Sequence, residues 1–278
     1  MKHSYFNFLL LLSLYLFSNS LQASHISGGT MTYECLGNNQ YKVKMTLFRD
    51  CYGVTPIPGI TPYDNPANFT IHSNNPAIAP QTVTAAYNPN HIGTVNTNVN
   101  SCFLPPIICF DSTFYEFTVT LPYDSLGYYI AYQRCCRDNA LTNLNNPGQT
   151  GMTLSIFLSN TVQLTCNNSP TFDAPTSVLS CVNTPLQLDF GAKDVDGDSL
   201  VYSLCSPFTG ATPFNPIPTV TTAPPFSTVN YNNGYSASQP FSGNISINSD
   251  YKTITFSYLR VESMSSAEFF IHRFSYNI

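Results

Sequence analysis

Residues 41–47 read Tyr41-Lys42-Val43-Lys44-Met45-Thr46-Leu47, and this alternation decides the fold class. Apolar side chains fall on odd positions and polar ones on even positions. That period of two puts one face of a strand on a core and the other in water. Upstream, Leu36-Gly37-Asn38-Asn39 is turn chemistry, so Thr30–Cys35 is the other arm of a hairpin. Downstream, 21 Pro and 14 Gly cut the chain into runs too short for helices. β-rich runs predict strands near Phe69–Ile71 and over Phe114–Leu121, Tyr128–Arg134, Met152–Leu158, Leu186–Phe190, Leu200–Leu204, Ile245–Asn248 and Thr253–Tyr258. The expected fold is all-β: two β-sandwich domains with long irregular loops, stapled by disulfides. Residues 52–100 and 206–240 are the loop-rich stretches.

The N-terminus reads as an export signal. Lys2 and His3 precede an apolar run from Phe6 to Phe17, too short to span a bilayer. Residues 1–23 are therefore expected to be a signal peptide cut after Ala23, which makes the protein secreted or displayed on the cell surface. No later run of 18 apolar residues follows, so the mature chain has no predicted transmembrane segment. Cys166-Asn167-Asn168-Ser169-Pro170 is a breaker cluster before a fresh series of strands. It divides the mature chain into residues 24–165, a Cys-rich sandwich, and residues 166–278, a second sandwich.

Ten basic residues, scattered, and a net charge of −5 argue against nucleic acid as a partner. The nine cysteines are Cys35, Cys51, Cys102, Cys109, Cys135, Cys136, Cys166, Cys181 and Cys205. Behind an export signal they predict disulfides. Short loops suggest Cys35–Cys51, Cys102–Cys109 and Cys166–Cys181, and a loop of about 15 residues closed this way contributes about 3 kcal/mol. Cys135 and Cys136 adjoin in an expected strand, where neighbours point to opposite faces, so each is expected to have a different partner. Nine is odd, and Cys205 is the expected thiol without an intrachain partner. No C-x₂-C pair offers a zinc knuckle.

Residues 193–202 read KDVDGDSLVY. Asp194, Asp196 and Asp198 lie at i, i+2 and i+4 around Gly197, an unfavourable crowding of like charge unless a cation neutralises it. Hard oxygen ligands at this spacing suit Ca²⁺. An EF-hand frame fails, since Ser199 and Cys205 stand where its Gly and bidentate Glu belong. A solvated acidic turn is the competing reading. Catalytic signatures are missing: no G-x-S-x-G, H-E-x-x-H or phosphate loop occurs, and none of the five His is paired at ligand spacing. Cleavage near Ser24 would set His25 close to a new N-terminus, where it could bind copper. With cleavage after Ala23, it is read as an ordinary strand or surface residue.

Ala192 to Ser203 reads AKDVDGDSLVYS and resembles the calcium-loop pattern A-x-D-x-D-G-D-x-L-x-Y-S of bacterial cadherin-like domains. Asn167 to Phe172 resembles their linker, N-x-x-P-x-F. The resemblance implies Asp194, Asp196 and Asp198 as Ca²⁺ ligands, joined by Asn167 or Asn168. Four further stretches resemble the opening of large secreted Bacteroidetes proteins, those labelled gliding-motility-associated and exported by type IX secretion. They are Ser24–Cys35, Leu47-Phe48-Arg49-Asp50-Cys51, and Ala131–Arg137 with Asn146–Gly151. This resemblance spans about residues 24–205. It implies a non-enzymatic, adhesive surface protein with unidentified surface glycans or proteins as partners. Arg260 to Ile278 departs from that family, and a truncated or frame-disrupted gene product is the expectation there. A carbohydrate-binding module is the alternative, with Tyr in place of the absent Trp. A fragment of a secreted hydrolase is the remote one.

Overall fold

The computed structural model describes residues 26–50, 63–94, 110–139, 141–172, 186–189, 191–200, 202–240, 244–248 and 253–257. The expected signal peptide, His25 and four cysteines (Cys51, Cys102, Cys109 and Cys181) lie outside them.

Two four-stranded antiparallel sheets form the main body. The first has the order β1 (Ile26–Gly37), β2 (Gln40–Asp50), β6 (Phe110–Thr120) and β5 (Gly93–Thr94). The second has the order β4 (Gln81–Ala85), β3 (Ala67–Ser73), β7 (Tyr128–Arg134) and β8 (Met152–Leu158). The alternation in β2 does its expected work. Tyr41, Val43, Met45 and Leu47 are buried, while Lys42 pairs with Glu116 at 3.5 Å and Lys44 sits over the Phe114 ring. The hairpin turns on Asn38 and Asn39, both left-handed at φ 52° and 60°. A two-residue loop with both φ positive matches the twist of the strands it joins.

The sheets pack face to face through one apolar core. Phe69 of β3 meets Tyr115 and Phe117 of β6, with ring centroids 6.4 and 4.7 Å apart. At the β1 end the approach is closer still. A Cβ on Gly29 would stand 2.6 Å from the Thr46 carbonyl oxygen and 2.7 Å from Leu154 Cδ1 on the opposite sheet. Gly29→Ala is expected to cost about 1–3 kcal/mol by overpacking, read as a lower denaturant midpoint with unchanged slope. A midpoint equal to wild type would mean that the sheets can part at no cost.

Two pairs of ionised side chains lie in this core. Arg49 and Asp111, partners across β2 and β6, bond through Nε–Oδ1 at 3.0 Å. Tyr63 donates to Asp111 Oδ1 at 2.7 Å, and the Arg49 guanidinium lies 4.2 Å from the Tyr63 ring centroid. Burial and the Asp111 carboxylate push the Tyr63 phenol far above its ordinary value. Arg134 is ion-paired with Asp64, whose Oδ2 accepts from the Tyr132 hydroxyl at 2.7 Å. Burial pulls the Arg134 guanidinium down to about 10.

Beyond β8, a short helix α1 (Asn160–Thr165) is capped by Ser159, whose hydroxyl accepts from the Val162 amide at 3.2 Å. The breaker-rich sequence carried no expectation of this helix. After it come a two-stranded ladder, β9 (Thr171–Phe172) with β11 (Ala192–Lys193), and a three-stranded sheet in the order β10 (Leu186–Asp189), β13 (Thr253–Ser257), β12 (Asn244–Asn248). Leu200–Leu204 departs from expectation: among its described residues none joins a ladder. Tyr202 is instead buried, and its hydroxyl oxygen accepts from the Ala192 amide at 3.0 Å.

Residues 202–240 form a strand-poor strap across the outer face of the second sheet. The Thr153 amide of β8 donates to the Phe208 carbonyl at 3.3 Å, and the Cys135 amide, just past β7, to that of Pro216 at 3.0 Å. The Thr222 amide donates to Gln133 Oε1 at 3.0 Å, and Gln133 Nε2 returns a bond to Thr222 Oγ1 at 2.7 Å. Arg137, fully buried, donates Nη2 to the Phe208 carbonyl at 2.9 Å. This cover explains why β7 is buried on both faces although its outer side carries Ala131 and Gln133.

Two cysteine expectations are corrected. Cys35 bonds to Cys166, with Cα atoms 5.4 Å apart, so neither Cys35–Cys51 nor Cys166–Cys181 forms. The linker returns along β1 and brings Cys166 beside Cys35, a proximity that sequence distance hides. Cys135 and Cys136 bond to each other across a cis peptide. The alternation argument did not apply to them, because β7 ends at Arg134.

Candidate metal-binding junction

The linker after α1 is clamped to the first hairpin. Cys166 is the helix C-cap, left-handed at φ 53°, and its sulfur is tied to Cys35. Three residues on, Ser169 makes three contacts with Tyr33. Its amide donates to the Tyr33 carbonyl at 3.0 Å, its hydroxyl donates to the same oxygen at 3.1 Å, and the Tyr33 amide donates back to Oγ at 2.8 Å. Between these anchors, Asn168 Oδ1 accepts from the Cys35 amide at 2.8 Å. The outward groups of the β1 edge are thus satisfied by the linker, and Asn167 and Asn168 are held at a fixed place.

The acidic loop meets the linker there. One carboxylate oxygen from each of Asp194, Asp196 and Asp198 lies within 4.8 Å of the others. Asp194 organises the turn: its Oδ1 accepts from the amides of Asp196 at 2.9 Å and Asp198 at 3.2 Å. Gly197 is at φ +84°, a backbone that residues with a Cβ rarely adopt, and it lets the loop reverse between the last two carboxylates. Asp196 Oδ2 accepts from the Asn168 amide at 2.6 Å, and the Asn168 side-chain nitrogen bonds Asp196 Oδ1 at 3.0 Å. Asn167 Nδ2 donates to Asp198 Oδ2 at 2.6 Å.

All three aspartates and both asparagines singled out in the sequence therefore converge, across 28 to 31 positions of chain. Their roles differ. Asn168 is a bridge, with its oxygen on Cys35 and its nitrogen on Asp196, and so presents a donor rather than a ligand. Two oxygens stand apart: Asp194 Oδ2 and Asn167 Oδ1 are buried and have no hydrogen-bond partner among the described residues. A buried oxygen left unbonded costs about 1–3 kcal/mol, so both are open to a further partner. A divalent ion bound by oxygens at about 2.3–2.6 Å spans about 5 Å between opposite ligands, which matches the spread of this cluster.

Sequence reasoning missed the clamp between Ser169 and Tyr33 and the Cys35–Cys166 bond. The one local signal was that Cys166 directly precedes the two asparagines. Cys205 lies half-buried, close enough to Tyr231 to affect its titration. Among the described residues, no helix is long and apolar enough to cross a membrane. No protein-family model, no curated protein and no solved structure matches the chain.

Proposed function

We propose that the chain is a non-enzymatic structural or adhesion protein of the cell exterior, in which Ca²⁺ stiffens the junction between the main sandwich and the segment that follows it. The observation that carries this reading is the convergence of three carboxylates with two buried, unpartnered oxygens, Asp194 Oδ2 and Asn167 Oδ1. Asp194, Asp196 and Asp198 hold the ion. Asn167 joins them, because its Nδ2 is bonded to Asp198 while its Oδ1 is buried without a partner and so open to a cation. Asn168 supports the site from behind, by tying Asp196 to β1. Bound there, the ion neutralises the loop and links it to a linker already fastened by a disulfide. The buried charges of the core, Arg49 with Asp111 and Arg134 with Asp64, are engaged with each other and fit a scaffold better than a catalyst. Surface glycans or proteins are the partners in this reading, and export through the N-terminal signal places the protein outside the cell.

Thermal melting tests it. A ligand present at one hundred times its dissociation constant adds about 2.7 kcal/mol. For a chain of this size that is a rise of about 5–10 °C on adding Ca²⁺ after EDTA. No rise in wild type, or an equal rise in Asp196→Ala, removes calcium from the account. Beads coated with the protein should also be retained on glycan- or protein-coated surfaces in Ca²⁺ and released by EDTA. Retention that ignores EDTA separates adhesion from the junction.

A further inference from the structure

Where it crosses β3, the strap is held by neutral contacts over a buried histidine. Residues 199–249 contain no Asp, Glu, Lys, Arg or His. Where the strap crosses β3, the Thr221 amide donates to Thr70 Oγ1 at 2.9 Å, and Thr221 Oγ1 lies 2.8 Å from His72 Nε2. Thr70, His72 and Thr221 are all buried. On β7 the residue in register with His72 is Tyr129, whose ring packs against Phe226 of the strap at 5.9 Å. Asp124, from the loop before β7, bonds the neighbouring Ser73 hydroxyl rather than His72. Neither Tyr129 nor the strap offers a negative charge to an imidazolium at neutral pH.

We propose that the Thr221–Thr222 stretch is an acid-released latch, held over the outer face of β3 and β7 while His72 is neutral and let go when His72 takes a proton. The neutral ring shares one hydrogen with the Thr221 hydroxyl, as donor or acceptor according to its tautomer. The charged ring has two donors to satisfy, and among the described residues no carboxylate is bonded to it, so water reaches it only when the strap lifts. Burial pulls the His72 titration below its ordinary value, in keeping with this geometry. The open form therefore binds the proton more readily than the closed form. Latching is complete above about pH 6.5 and weakens as pH falls from there to the lower value of the closed state. Release is local, since Phe208, Pro216 and Asn230 anchor the strap elsewhere.

Amide exchange at Thr221 and Thr222, corrected for intrinsic rate, reads the latch. The opening equilibrium is expected to rise about tenfold per pH unit below about pH 6.5, until the closed-state titration is reached. In His72→Gln, which keeps a hydrogen-bonding group without the titration, opening should be flat across that range. An independent reading in wild type is the NMR titration of the His72 ring, which should track the exchange profile. Exchange that does not change with pH, that changes equally in His72→Gln, or that follows a midpoint unlike that of His72 overturns the latch.

Discussion

Replacing Asp64 by alanine is expected to lower the unfolding free energy by about 3–5 kcal/mol, a drop of about 6–20 °C in melting temperature at this chain length. Asp64, just before β3, ties β6 and β7 together. Its carboxylate pairs with Arg134 of β7 and accepts from Tyr132, and its carbonyl accepts from the Tyr115 hydroxyl of β6 at 2.8 Å. Only the carboxylate is lost in the variant, but the consequence is a guanidinium left 5% exposed in an apolar core. The cost is the desolvation of that charge, much more than the worth of the pair. The double change Asp64→Leu with Arg134→Met should therefore recover much of the loss, since an apolar pair of similar volume often matches or betters a buried ion pair. Chemical denaturation of the three proteins settles it. Asp64→Ala within 1 kcal/mol of wild type would mean that water reaches Arg134 inside the sandwich.

Breaking the Cys35–Cys166 bond is expected to have an effect of similar size for a different reason. The two residues are 131 positions apart. In the chain-entropy model a loop of that length is worth about 5 kcal/mol, against about 3 for the short loops read from the sequence. The bond also fixes the linker on which Asn167 and Asn168 stand. Cys35→Ser, Cys166→Ser and the double variant should lose the same stability, because each breaks the same bond. Peptide mapping of unreduced protein should find Cys35 and Cys166 in one cross-linked peptide. Finding Cys35 joined to Cys51 would contradict the arrangement and release the linker from β1.

What could be read in the sequence was local. β7 and β8 occupy the residues that β-rich runs marked, Tyr128–Arg134 and Met152–Leu158. The first hairpin turns at the expected asparagines, and the carboxylates of the acidic loop meet as their spacing implied. A period of two and a Gly-centred acidic turn are written within a few residues, so they survive without knowledge of the rest of the chain. The misses share the opposite property. Cys166 finds Cys35 because α1 and the linker turn back along β1, and no local pattern encodes that return. The strap looks like loop in the sequence because it has no alternation. Some of its backbone bonds stay within the strap, as from Thr209 to Ser227, and others go to Thr70, Gln133 and Thr153 on three different strands. Cys135 and Cys136 were placed by a strand rule that stops applying one residue earlier, at Arg134.

The junction is the centre of the account, and calcium binding to it can be measured without reference to stability. Isothermal titration of Ca²⁺ into protein stripped with EDTA should give one saturable site in wild type. A dissociation constant of about 10⁻⁴–10⁻³ M would be typical of extracellular modules. Asp194→Ala removes the carboxylate that organises the loop and carries a buried, unpartnered oxygen, and it should abolish that site while the fold persists by circular dichroism. Saturable binding in wild type and none in Asp194→Ala is the predicted result. Wild-type protein that takes up no Ca²⁺ at millimolar concentration, or binding that Asp194→Ala leaves unchanged, would contradict it.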